Sequence, residues 1–215
     1  MVHVYYHIYA IDGVEEIIEE QLGLIKKHFD FPYTLNVGIS IVNENESISN
    51  ILKKFEKIRD IRAKGNEFTT LDLIEIDKEN FGDSDYILYI HTKGASRLKQ
   101  DNYKNIESWR HIMNYYNIEK VKNVFKLFER SSYNTYGILK TSSSKGGEFY
   151  SGNFWWMTSN YAKTIDISDV PKNNRYNAEG NYIRKGKDWK PYSPYNVDNI
   201  TNHYGVNFKR EDYAK

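Results

Sequence analysis

The chain has 215 residues, a formal net charge of +1 and no cysteine. This length fits one domain with a sizeable core, the balanced charge gives no global field for a polyanionic partner, and the absence of cysteine excludes disulfides and thiol chemistry. The first residues lack the basic head and cleavage site of a signal peptide, and no apolar run reaches the roughly 20 residues that span a membrane. We therefore expect a cytoplasmic protein.

The first 90 residues alternate between strand and helix patterns. Apolar stretches predict strands at residues 2–10, 35–42, 69–76 and 86–90, and apolar residues at helical spacing predict helices at residues 15–29 and 47–62. This order is typical of an α/β fold with a mostly parallel sheet and helices on both faces. Ligands bind such sheets at the carboxyl ends of the strands, so the residues that follow each strand are site candidates, including Asn43 and Glu44.

The rest of the chain is less regular. Residues 105–130 have the pattern of a long amphipathic helical stretch, and residues 136–139 that of a short strand. The aromatic residues 149–158 predict strand or loop, and residues 160–165 predict a short helix. From Asp169 the sequence is polar and rich in loops. No repeat or linker divides the chain, so we expect a single domain over residues 1–215.

Five motifs occur in a fixed order: the opening strand YYHIYA at 5–10, KENFGDSDYILYIHTKG at 78–94, SWRHIM at 108–113, FYSGNFWW at 149–156 and RYNAE at 175–179. Together they resemble glycosyltransferases of the GT-A type, within the polysaccharide-biosynthesis group that includes rhamnan synthesis protein F. The resemblance implies a GT-A-like (Rossmann-like) domain, with a nucleotide-sugar half at about residues 1–100 and an acceptor half at about 101–215. It also implies sugar transfer from a nucleotide-sugar donor to a hydroxyl acceptor, in polysaccharide or glycan synthesis.

The HTKG motif departs from the usual GT-A pattern, in which this strand ends in Asp-x-Asp and holds a divalent cation against the donor diphosphate. Because Asp83-Ser84-Asp85 precedes the strand, we interpret it as a strand-entry turn. We expect Lys93 to supply a fixed positive charge and His91 to bond phosphate or ribose. Alternatively, His91 and His203 hold Mn²⁺ or Mg²⁺, or the motif is an ordinary strand-end loop.

The resemblance assigns roles to further residues. Glu179 is the candidate general base, with Glu148 and Asp198 as alternatives, because a carboxylate can take the proton of the attacking hydroxyl. The donor is expected to contact residues at strand ends and on the next helix: His7, Ile8, Tyr9, Asp77, Lys93, Gly94 and Arg110. The acceptor is expected to contact small, aromatic and basic residues: Gly152, Asn153, Trp155 and Arg175.

Two other functions stay open from the sequence. The basic run at residues 184–190, with tyrosines at 182, 192 and 195, is a candidate surface for a nucleic acid, so the acceptor is alternatively a modified DNA base. The near-neutral total charge disfavours that partner. The missing Asp-x-Asp instead favours a non-catalytic module that binds carbohydrate or nucleotide.

Overall fold

The fold was analysed in a computed structural model, which describes residues 1–42, 46–55, 58–143, 147–197 and 203–214. Its main sheet has seven strands in the order β3-β2-β1-β4-β8-β5-β9, and a separate hairpin pairs β6 with β7. The strands are β1 Val2–Ala10, β2 Tyr33–Ile41, β3 Ile58–Ala63, β4 Tyr86–His91, β5 Thr135–Gly137, β6 Lys140–Ser143, β7 Gly147–Tyr150, β8 Trp155–Thr158 and β9 Pro191–Tyr192.

The order of the parallel strands determines where a ligand site can form. β1 pairs in parallel with β2 and β4, and β2 pairs in parallel with β3. The chain thus moves outward from β1 to β3 and returns on the other side of β1 as β4. Such a reversal opens a crevice at the carboxyl ends of the two strands. The register places His7 of β1 opposite His91 of β4, directly at this point.

Helices cover both faces of the sheet, because alternate residues of its buried strands point to opposite sides. Tyr6 and Leu88 belong to the core beneath α1, α4 and α5, whereas Tyr5 and Tyr89 belong to the core beneath α3, α6 and α7. The predicted α/β fold with a mostly parallel sheet is therefore confirmed. The helices are α1 Glu15–His28, α2 Glu46–Leu52, α3 Phe68–Asp77, α4 Tyr103–Asn114, α5 Val121–Arg130, α6 Ser159–Ala162, α7 Arg175–Gly180 and α8 Arg210–Tyr213.

The prediction for the third strand was wrong. Residues 69–76 form most of α3, and the third strand is β3, which except for Ala63 lies inside the region predicted as a helix. β3 is the edge strand and most of its residues are exposed, so no apolar pattern marks it. In α3, Phe68, Leu71 and Ile74 are buried at a spacing of three, which a short apolar run does not distinguish from a strand.

The second half of the chain follows the predicted order with one interruption. The helical stretch at 105–130 is divided into α4 and α5 by a π-helical turn at Tyr115–Glu119. The short strand at 136–139 corresponds to β5, the aromatic segment contributes β7 and β8, and the short helix is α6. Across the described ranges, none of the helices combines the length and apolarity needed to cross a membrane.

Candidate active site

A cavity of about 250 Å³ opens at the carboxyl ends of β1 and β4, where the strand order reverses. Its wall combines residues that are distant in sequence: His7, Tyr9, Gly65, Asn66, Glu67, His91, Thr92, Lys93, Gly94, Ser96, Arg97, Ile106, Arg175, Glu179 and Tyr204. Seven predicted site residues meet here, namely His7, Tyr9, His91, Lys93, Gly94, Arg175 and Glu179. Other lining residues were not predicted from the sequence, notably Asn66, Glu67, Ser96, Arg97 and Tyr204.

The HTKG motif forms a tight turn that is joined to the end of β1. Thr92 donates its backbone N–H to the His7 carbonyl oxygen (3.0 Å), and its hydroxyl oxygen accepts from the backbone N–H of Tyr9 (2.9 Å). Gly94 has a φ of +94°, and a Cβ there would lie 3.1 Å from Cγ2 of Ile106. Glycine is therefore needed at this position for both its backbone conformation and its close contact with α4.

Lys93 extends from this turn into the cavity, with only 7% of its surface exposed. Its ammonium nitrogen lies 3.9 Å from the ring centroid of Trp109 and 5.4 Å from that of Tyr204. Aromatic faces attract a cation through their ring quadrupole. Among the residues that the structure describes, no carboxylate lies within ion-pairing distance of Lys93. Its charge is thus held by aromatic rings and is available to an anionic ligand.

Arg110 holds the HTKG turn by a hydrogen bond to its backbone and does not line the cavity. Its guanidinium donates to Glu20 (2.8 Å) and to the carbonyl oxygen of Lys93 (3.2 Å), and the side chain is 2% exposed. Burial raises the pKa of Glu20, but hydrogen bonds from His111 and Arg110 outweigh it and lower the pKa to about 2. The pair is therefore ionised, and the structure places Arg110 as a support of Lys93 and not in contact with the cavity.

His7 and His91, which face each other where the strand order reverses, are both neutral near pH 7. Burial lowers the pKa of His7 to about 4, and burial together with the charge of Lys93 lowers the pKa of His91 to about 4. His91 donates from Nε2 to the carbonyl oxygen of Gly152 (2.8 Å), because a carbonyl can only accept. Nδ1 of His7 lies 2.9 Å from the hydroxyl of Thr70.

His203 lies outside the cavity wall, where its Nδ1 is 2.9 Å from the hydroxyl of Ser151. Burial, followed by the charge of Lys93, lowers its pKa. In the described ranges no group of three or more His, Asp or Glu side chains is placed to hold a metal ion, and His91 already uses Nε2 as a donor. These residues therefore do not supply the ligand set that a cation held by His91 and His203 requires. Asp198, an alternative candidate for the general base, lies outside the described residues.

Two carboxylates line the cavity in different environments. Glu179 of α7 is half-buried, and no hydrogen bond or ion pair joins it to any residue in the described part of the chain. Glu67, just before α3, accepts on Oε2 from the hydroxyl of Tyr89 (3.0 Å) and from Nδ2 of Asn153 (2.5 Å). Because the sequence predicted a strand from residue 69, Glu67 did not stand out as the last residue before a helix.

Several predicted site residues lie behind the wall. Ile8 is fully buried in the core, and Trp155 is stacked on Tyr89 with the ring centroids 4.9 Å apart. Gly152 touches the site only through the carbonyl oxygen that accepts from His91, and its φ is +94°. Asn153 is 1% exposed and contacts Glu67 instead of the cavity. The structure therefore gives these residues supporting positions.

Other predicted residues lie away from the cavity. Asp77 ends α3 and accepts from Arg59 and from the hydroxyl of Tyr5 (2.6 Å), so the predicted strand end that made it a donor contact was wrong. Glu148 is paired with Lys140 at 2.8 Å on the β6–β7 hairpin. The acidic turn before β4 lies at the amino end of the sheet, as predicted, and its last residue, Asp85, accepts from His3. Asn43 and Glu44 lie outside the described residues.

The basic run at residues 184–190 does not form an open cationic surface. Lys185 is paired with Asp169 and Lys190 with Asp188, each at 2.7 Å. Tyr182 is fully buried and donates to Glu75. Because Lys185 and Lys190 are paired and the ring of Tyr182 lies in the core, the structure does not support a nucleic-acid partner at this segment.

Residues 1–166 match the family described as rhamnan synthesis protein F. The chain belongs to this family. The matched region includes the HTKG turn and the SGNFWW motif, and it ends before Arg175 and Glu179. No curated protein matches the chain.

Three solved structures show what this family member is similar to. A 4-diphosphocytidyl-2C-methyl-D-erythritol synthase from Anaerococcus prevotii DSM 20548 is 12% identical, with 99% of this chain and 92% of that chain covered and a TM-score of 0.49. A second synthase of this name is 12% identical, with 78% and 81% covered and a TM-score of 0.38. An active-site mutant of LgtC is 10% identical, with 79% and 61% covered and a TM-score of 0.39.

Proposed function

We propose that this protein is a glycosyltransferase that moves a sugar from a nucleotide-sugar donor to a hydroxyl acceptor in polysaccharide or glycan synthesis. One observation supports the proposal above the others. Lys93, Arg97 and Arg175 line the same cavity, and none of the three has a carboxylate partner among the described residues. Cations that stay unpaired in one crevice favour an anionic ligand, and a donor diphosphate has the matching charge.

In this proposal Lys93 stabilises the leaving group. As the bond between the anomeric carbon and the diphosphate oxygen breaks, its electron pair goes to that oxygen, and negative charge builds up on the nucleoside diphosphate. A cation that is already in place stabilises this charge without reorganisation. Lys93 is such a group, since its backbone is fixed by the turn and its ammonium by Trp109. Arg97, stacked 4.5 Å from the ring centroid of Tyr204, extends the positive surface.

Glu179 is the proposed general base. It takes the proton of the acceptor hydroxyl while that oxygen forms a bond to the anomeric carbon. A base needs a free lone pair at the cavity, and Glu179 has no hydrogen-bond donor from the described part of the chain. Arg175, on the same helix, is close enough to the site to contact the acceptor or the phosphates.

A donor screen tests the proposed function. The protein is incubated with each common nucleoside diphosphate sugar, and both its melting temperature and the release of nucleoside diphosphate are measured. We expect one donor to raise the melting temperature and to be hydrolysed slowly in the absence of acceptor. A donor that stabilises the protein but is never consumed, even with saccharide acceptors, would indicate a binding module instead. Failure of every donor to bind would contradict the proposal.

A further inference from the structure

Glu67 is a second carboxylate of the cavity, and the mechanism above does not use it. Its Oε2 accepts two hydrogen bonds, from the hydroxyl of Tyr89 and from Nδ2 of Asn153. For Oε1 the described residues provide no hydrogen-bond donor. One oxygen is therefore held by the protein, while the other is left for a ligand.

The two donors to Glu67 are themselves fixed by the core. Asn153 accepts on Oδ1 from the indole N–H of Trp155 (2.8 Å), which determines the orientation of its amide and directs Nδ2 to Glu67. Asn153 has a φ of +59°, a conformation that asparagine tolerates better than most residues. Tyr89 is fully buried and stacked on Trp155. The NFW part of the SGNFWW motif thus positions a carboxylate at the cavity.

The free oxygen of Glu67 fits a neutral hydrogen-bond donor on the ligand. A phosphate would be repelled by the carboxylate, whereas sugar hydroxyls donate to carboxylate oxygens through charge-assisted hydrogen bonds. The cations of the wall remain unpaired with Glu67, so its charge is not neutralised by a neighbour. We propose that Glu67 binds ring hydroxyls of the nucleotide sugar and that Tyr89 and Asn153 are its positioning residues. This inference rests on the proposed function.

Two rings of the donor carry such hydroxyls, the ribose and the transferred sugar. Calorimetric titration separates them with three probes: the nucleotide sugar, its nucleoside diphosphate and the 2′,3′-dideoxy form of that diphosphate. Glu67→Gln can keep a carbonyl oxygen towards Tyr89 and Asn153 while it replaces the cavity-facing acceptor with a donor. We expect it to weaken binding of the nucleotide sugar about 10- to 100-fold, as for a lost hydrogen bond to a charged group.

The pattern of the loss identifies the ring. If Glu67 binds the ribose, the variant loses affinity for the nucleoside diphosphate as well, and the dideoxy form binds both proteins equally. If it binds the transferred sugar, only the nucleotide sugar is affected. Glu79→Gln, an exposed glutamate beyond the other end of the same helix, is the matched control and should bind like the wild type.

A second variant tests the positioning role without changing the cavity wall. Tyr89→Phe removes only the hydroxyl, and we expect it to raise KM for the donor several-fold while kcat changes little. This variant also keeps the inference testable should Glu67→Gln fail to fold. Equal affinities of wild type and Glu67→Gln for all three probes would overturn it, as would normal binding with a large loss of kcat, which would make Glu67 a base. If the wild type binds no nucleotide, the proposed function fails and the inference with it.

Discussion

The two walls of the cavity are built differently. The HTKG turn is fixed by backbone bonds to β1, by the close packing of Gly94 on α4 and by the buried pair of Arg110 and Glu20. The other wall is formed by Arg175 and Glu179 of α7, a helix of six residues of which only Ala178 is buried. The groups that we propose for the diphosphate are therefore the preorganised ones, which is what stabilisation of a leaving group requires. The groups that we propose to meet the acceptor, on α7, are held by fewer contacts.

The largest expected effect concerns the less fixed wall. Glu179→Gln keeps the shape of the side chain but cannot accept a proton, so we expect transfer to slow by about 10² to 10⁴. Donor affinity, measured by calorimetry, should stay unchanged because Glu179 is proposed to act on the acceptor hydroxyl and not on the donor. Glu211→Gln on α8 is an exposed control. Near-normal turnover of Glu179→Gln would move the base to another carboxylate.

Substitutions in the two walls should have different effects on the free energy of unfolding. Arg110→Met leaves Glu20 without its main partner and removes the donor to the Lys93 carbonyl, so we expect a loss of about 3 kcal/mol in the free energy of unfolding. Arg175→Met on α7 removes an exposed guanidinium and should change stability by less than about 0.5 kcal/mol. Denaturant unfolding measures both. Equal effects of the two substitutions would contradict the contrast between the walls.

Low pH should lower the free energy of unfolding, because His7 is neutral in the folded protein and is protonated more readily in the unfolded chain. The folded pKa of His7 is about 4, below its usual 6.5, so the unfolded chain binds more protons between these values. Stability from this group is fully present above about pH 6.5 and falls as the pH drops towards 4, by up to about 3 kcal/mol. His7→Gln should flatten the dependence of unfolding free energy on pH in this window. An unchanged slope would show that folding does not lower the pKa of His7.

The sequence predicted those parts of the fold in which burial leaves a clear pattern. β1, β2, β4 and α1 are buried and carry continuous apolar residues or helical spacing, and the carboxyl ends of the three strands meet as expected. β3 was missed because an edge strand needs few apolar residues. With β3 and α3 misassigned, the site residues between them, among them Glu67, could not be placed.

The direction in which a side chain points was harder to predict than the helix or loop on which the residue lies. Arg110 follows Trp109 on a helix near the turn, and the sequence cannot show that its guanidinium points inward to Glu20. Asn153 was predicted to contact the acceptor, yet its amide is used by Trp155 and Glu67. Tyr204 comes from the far end of the chain, where the sequence is polar and has no periodic pattern.

The most direct test of the account is the affinity of Lys93→Met for the donor's nucleoside diphosphate, measured by calorimetry in excess EDTA. Methionine keeps an apolar stem against Trp109 and removes only the charge, and Lys99→Met is an exposed control. We predict that the wild type binds without a divalent cation and that Lys93→Met binds about 10- to 100-fold more weakly. Binding by the wild type only after manganese or magnesium is restored, or equal binding by both proteins, would contradict the role given to Lys93.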